Sequence, residues 1–167
     1  MSSSTATPAD LALSIAQTSA NPPTLSIKLT NTHASAPLTL LTWDSPLDPQ
    51  ALALGLVHIA PAASEGDEPF KLPTIKVSRK LPPRREDLIT LAPGQSRAQE
   101  IEFKEPVVPL GKIREKGGKA KVWVMGNWRA LWAKTVEQVG DEELEAMEAA
   151  KDGMTGAFES EGVLVEV

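Results

Sequence analysis

Hydrophobic and polar residues alternate most clearly between Thr24 and Asn31, where Leu25, Ile27 and Leu29 are separated by Ser26, Lys28 and Thr30. A period of two puts the three apolar side chains on one face of an extended chain, as in a half-buried strand. Turn-forming residues follow over 31–37, and Leu38 to Trp43 reads as a second strand expected to pair with the first as a hairpin. Two prolines and two aspartates then carry residues 44–49 out of the sheet. A third strand is expected over Gly55 to Ala60, a surface loop over Pro61 to Pro69, and another strand over Thr74 to Ser78. Consecutive prolines cannot donate ladder hydrogen bonds, so residues 79–87 read as an exposed connection.

The second half continues in short segments. Leu88 to Leu91, the turn Ala92 to Gln95, and Ser96 to Phe103 predict a strand, turn, strand unit in which Ile101 and Phe103 alternate with Glu100, Glu102 and Lys104. A loop over Pro106 to Gly118 leads to Ala120 to Met125 and Trp128 to Trp132, read as two arms of a hairpin turning at Gly126 and Asn127. Asp141 to Lys151 has helix chemistry, with an acidic first turn, strong helix formers and Gly153 beyond its end; only Leu144 and Met147 mark an apolar face. Val163, Val165 and Val167 form a closing strand. Seven or eight strands with one short acidic helix inserted before the last strand predict an all-β fold, an immunoglobulin-like antiparallel β-sandwich. Residues 1–22, rich in Ser, Thr, Ala and Pro, read as a flexible N-terminal segment, and 23–167 as the sandwich domain.

Composition narrows the chemistry. The chain has 167 residues, 41% hydrophobic and 23% charged, which suits a single folded core. A formal charge of -5 argues against nucleic acid or an anionic membrane as partner. No cysteine is present, which excludes disulfides, thiolate metal sites and cysteine nucleophiles. The opening residues lack a basic region and an unbroken apolar core, so the expected compartment is the cytoplasm.

No catalytic residue, metal or cofactor is expected. The two histidines, His33 in a turn and His58 in a strand, read as one exposed and one satisfied side chain, well short of the three or four convergent ligands of a zinc centre. Ser96 after Gly94 and Gln95 lacks the second glycine of a nucleophile elbow and opens a strand rather than a helix. Lys116 to Ala120 lacks the hydroxyl residue of a phosphate loop, and the acidic helix lacks the Asp-rich loop of a calcium site.

Two surface candidates remain. Arg79, Lys80, Arg84 and Arg85 surround Leu81, Pro82 and Pro83, and arginine forks on a stiff loop can engage carboxylates bidentately. The competing reading is a charged loop that keeps an edge strand soluble. No aromatic residue is interleaved, which argues against single-stranded nucleic acid. Among the four tryptophans, Trp43 and Trp123 are assigned to the core. Trp128 and Trp132, with Arg129 between them, fit either a recognition surface or the core. The function read from these features is a non-catalytic protein-binding module; the alternative is a small-ligand carrier, or an enzyme whose site is assembled from scattered residues.

Several segments also resemble a known family. They are Leu25 to Thr32, Leu38 to Trp43, the basic Arg79-Lys80-Leu81, Asp87 to Ser96, Glu100 to Phe103, and Phe158 to Val167. Together, over residues 24–167, they resemble the prodomain that precedes the catalytic domain in fungal deuterolysin-type zinc metalloproteases. The resemblance implies a sandwich fold and a peptidase-binding, inhibitor-like role with a peptidase as partner. It implies no catalysis, because the His-Glu-x-x-His helix of those proteases has no counterpart here. A further departure is that those enzymes are secreted.

Overall fold

A computed structural model describes residues 6–62, 68–150 and 152–167. Its strands, in chain order, are β1 (Leu11–Ala20), β2 (Pro23–Asn31), β3 (Leu38–Leu41), β4 (Val57–Pro61), β5 (Leu88–Leu91), β6 (Ser96–Glu102), β7 (Lys119–Trp132), β8 (Gly153–Glu159) and β9 (Val163–Glu166). Two short helices, α1 (Leu110–Glu115) and α2 (Asp141–Ala146), interrupt them. The fold is the expected all-β architecture of two antiparallel sheets.

The smaller sheet has the order β1-β2-β6. The larger is organised on the 14-residue β7. The first half of β7 pairs with β4 and β9, and its second half with β8 and β3, which in turn pairs with β5. β8 and β9 succeed each other along β7, with Glu159 opposite Met125 and Val163 opposite Val122. In the gap between them the Ser160 hydroxyl accepts the N–H of Val124 at 2.9 Å, so a side chain replaces a missing ladder bond.

The alternation that marks β2 puts Leu25, Ile27 and Leu29 into the core with Leu38, Leu40, Ile59, Val122, Val124 and Leu131. Fully burying an aliphatic side chain of this size contributes about 1.5–3 kcal/mol. A second cluster lies on the opposite, outer face of the larger sheet. Leu41, Ala130 and Trp132 are covered there by Val139, Leu144 and Met147 from the chain around α2. Lys134 ties this cover down, its Nζ 2.7 Å from Glu143 and 3.0 Å from Asp152. Those two carboxylates, Glu143 first, push the lysine pKa up.

Several expectations are corrected. The segment expected to be flexible contains β1, because Leu11, Leu13 and Ile15 alternate with small and polar residues and face the sandwich. β2 and β3 form no hairpin: they lie in different sheets, β2 paired with β1 and β6, β3 with β5 and β7. β5 and β6 likewise cross between sheets. Residues 74–78 are not a strand, the Pro106 to Gly118 loop contains α1, and β8 was not anticipated. β7 runs straight through Gly126 and Asn127. A Cβ at Gly126 would lie 2.8 Å from the Phe158 ring and 2.9 Å from Leu56, so this glycine serves close packing rather than a turn. The helix ends at Ala146 and continues as a 3-10 turn over Met147–Ala149; Lys151 and part of the 61–69 loop lie outside the described residues.

Candidate functional site

The loop after β3 is built on Asp48. Its side chain is nearly fully buried and accepts three hydrogen bonds, from the N–H of Asp44 and of Gln50 at 2.9 Å each and from Arg79 Nη2 at 2.7 Å. Asp44 takes a left-handed conformation (φ 60), which a short polar residue tolerates, and its carboxylate lies 3.3 Å from Arg129. The Arg79 guanidinium also lies over the Trp43 ring, 5.5 Å from its centroid. Arg79 is therefore fixed on two sides, by a carboxylate and by an aromatic face.

This assembly forms one wall of a cleft of about 580 Å³. Leu88 and Ile89 of β5 contribute to it, as do Arg97, Ala98 and Gln99 of β6, so it opens between the lateral edges of the two sheets. Gln99 bridges the opening by donating to the carbonyls of Pro46 and Asp48 at 2.8 Å. Arg97 is exposed and has no ion pair among the described residues. The opposite side of the sandwich is closed differently: the Gln17 side chain of β1 donates to the carbonyl of Glu166 in β9 at 2.8 Å and accepts its N–H at 2.9 Å.

The predicted site residues separate. Arg79 reaches the cleft, and Arg129 is linked to it through Asp44 and Asp48. Lys80 and Arg84 are exposed, Arg84 pairing with Glu86 at 3.1 Å. Arg85 is also exposed but acts as a brace, donating to the carbonyls of Val136 and Val139 at 3.0 and 2.6 Å and to Asp141 at 2.8 Å. Trp128 and Trp132 are 2% and 0% exposed. They belong to the two cores, so the recognition surface considered for them is not formed. Trp43 is core, as expected, but Trp123 is half-buried and stacks on His58 with centroids 5.5 Å apart and planes 15° apart. His33, expected exposed, is buried, and its Nδ1 accepts the N–H of Ser35 and Ala36 at 3.1 and 2.8 Å.

Sequence reasoning missed Asp48, Arg97 and Gln99. Asp48 was read as a turn former only, yet an aspartate two residues before a glutamine and four after another aspartate is well spaced to close a loop on its own backbone. Burial lowers the His58 pKa, with Glu159 opposing. The surface beside it is a shallow depression lined by Leu56, Met125 and Phe158. Among the described residues, no three His, Cys, Asp or Glu side chains are gathered as a metal ion would need.

A family model described as an immunoglobulin-like domain matches residues 10–167, a span that takes in β1. A protein of Arthroderma benhamiae named "Uncharacterized secreted protein" is 30% identical over 142 residues, covering 84% of this chain and 67% of that protein. The secreted character of that relative overturns the expected cytoplasmic placement. The physical reason is that the apolar residues of the opening segment belong to β1, so their pattern is set by packing in the sandwich, and the lack of cysteine fits either compartment.

Proposed function

The chain belongs to the immunoglobulin-like domain family, and from that premise we propose that it is a non-catalytic module that binds a protein partner through the cleft between β5 and β6. The observation that carries this reading is the pair of guanidinium groups at the cleft, Arg79 held rigid over Trp43 and Arg97 without an ion pair among the described residues. A pre-fixed arginine loses little freedom when it meets a carboxylate, which is what makes such a residue a binding anchor. Lys80 and Arg84 stand exposed on the neighbouring loop, Arg84 paired with Glu86, which lines the cleft together with Asp87.

The finer reading is a peptidase partner, supported by the resemblance to the prodomain of deuterolysin-type metalloproteases. The name of the A. benhamiae relative supports an encounter outside the cell. The test is binding of the purified chain to a deuterolysin-type metallopeptidase, compared with an Arg79→Ala/Arg97→Ala variant. Saturable binding that weakens about tenfold or more in the variant, roughly 1.4 kcal/mol, supports both readings. If no saturable binding is seen, the peptidase partner is wrong. Binding indifferent to both arginines would remove the cleft.

A further inference from the structure

The chain around α2 covers one end of the outer face of the larger sheet, and the other end carries no such cover among the described residues. There the register sets His58 beside Trp123, Leu164 beside Lys121, and Glu159 beside Met125. Met125 is 39% and Leu164 62% exposed, two of the four large hydrophobic residues most open to water among those described. Lys121 holds its ammonium 5.8 Å from the centre of the Trp123 ring. Its stem runs over Gly162, where a Cβ would stand 2.5 Å from Lys121 Cε, so the glycine keeps the lysine flat against the sheet. The result is an aromatic and aliphatic patch beside the shallow depression at Met125, with a cation at one end and the carboxylate of Glu159 at the other.

We propose that this patch is a self-association surface whose occupant is a second copy of the chain, packed sheet against sheet about a two-fold axis. The argument rests on charge and register. Lys121 and Met125 lie two residues to either side of Trp123, and Glu159 is the cross-strand neighbour of Met125. A two-fold axis in the interface that crosses β7 at Trp123 carries Lys121 of each copy onto the Met125 and Glu159 pair of the other. Neither Lys121 nor Glu159 has an ion-pair partner within the chain among the described residues. Two reciprocal ion pairs then flank a centre made of Trp123 and His58, with Met125 and Leu164 beside the charged groups at either end. Such an isologous contact needs one self-complementary patch, and it closes at two copies.

Sedimentation velocity over a dilution series of the intact chain tests this directly. The expected result is a dimer that dissociates on dilution. Lys121→Glu and Glu159→Lys should each raise the dissociation constant about tenfold or more, while the combined swap Lys121→Glu/Glu159→Lys restores it. Lys28→Glu, on the exposed side of β2 in the other sheet, should leave it unchanged. Both exchanged side chains lie at the surface, so folding, checked by circular dichroism, is retained. A wild-type chain that stays monomeric at every concentration overturns the proposal. So does a dimer that neither reversal weakens, or a double variant no tighter than the single ones.

Discussion

Replacing Asp48 with alanine tests whether the loop between β3 and β4 depends on one carboxylate. The substitution removes the acceptor for two backbone N–H groups and for Arg79. Breaking a buried ion pair from one side costs about 3–5 kcal/mol. Arg79 retains 22% exposure of its side chain and can turn to water, which lowers that term to about 1 kcal/mol, the value for a solvent-accessible pair. The two N–H groups are only partly buried and each adds about 1 kcal/mol. The sum is about 3 kcal/mol, which for a domain of this size lowers Tm by roughly 6–12 °C. Asp48→Asn keeps one acceptor oxygen and should cost about half as much. Arg79→Ala leaves the buried carboxylate its two backbone N–H donors but no cation, and should cost less than Asp48→Ala, about 1–2 kcal/mol. Urea unfolding followed by tryptophan fluorescence separates the three, since Trp43 lies against the perturbed group. If Asp48→Ala costs less than about 1 kcal/mol, or Arg79→Ala costs as much, the carboxylate is not what orders the loop backbone.

Other perturbations address the closed side and the histidine. Gln17→Ala removes both hydrogen bonds to Glu166 at an exposed site, for about 0.5–1.5 kcal/mol. Its specific signature is faster hydrogen exchange at the Glu166 amide with little change in β2. His58 should titrate below the ordinary imidazole value of about 6.5, since burial is the larger effect, and Glu159→Gln should lower it further. Because the folded pKa is the lower one, the unfolded chain binds more protons as pH falls through the unfolded value. Stability from this residue is therefore present above that value and lost as pH falls toward the folded pKa. NMR titration of the imidazole, with unfolding midpoints in the same pH series for wild type and His58→Gln, checks both statements.

The alternation in β2 was legible because it has one buried face and polar residues opposite, and β9 was legible from its valines at every second position, although Leu164 opposite them is exposed. β1 was not, because its outward positions are Ala, Ser and Thr, a composition shared with unstructured segments. Which strands pair was illegible for a different reason. Adjacent strands of a sandwich can lie in either sheet, and the turn between β2 and β3 has no residue that distinguishes a hairpin from a crossing. Gly126 looked like a turn because glycine permits one, whereas what it meets is the Phe158 ring, a contact made across strands. At the site, Arg79 was found by its charge and by the stiff loop it opens. Arg85, only six residues on, serves the protein's own carbonyls, a distinction that depends on where the chain around α2 folds back. Trp128 and Trp132 share the tryptophan chemistry of binding surfaces, and the passage of β7 through the middle of the larger sheet decides against it.

Gln17 gives the sandwich one stitched seam, with a side-chain amide occupying hydrogen-bonding groups of β9 that would otherwise face a neighbouring chain. At the other seam the outer rim of β6 is exposed over most of its length. A filament of stacked sheets grows only if every subunit both accepts and offers a strand. Here the β9 end of one seam has its Glu166 N–H and carbonyl already taken while the rim of β6 is open, so the two seams differ in what they offer an incoming strand. That asymmetry works against repeated edge-to-edge addition, the route by which open rims seed fibres.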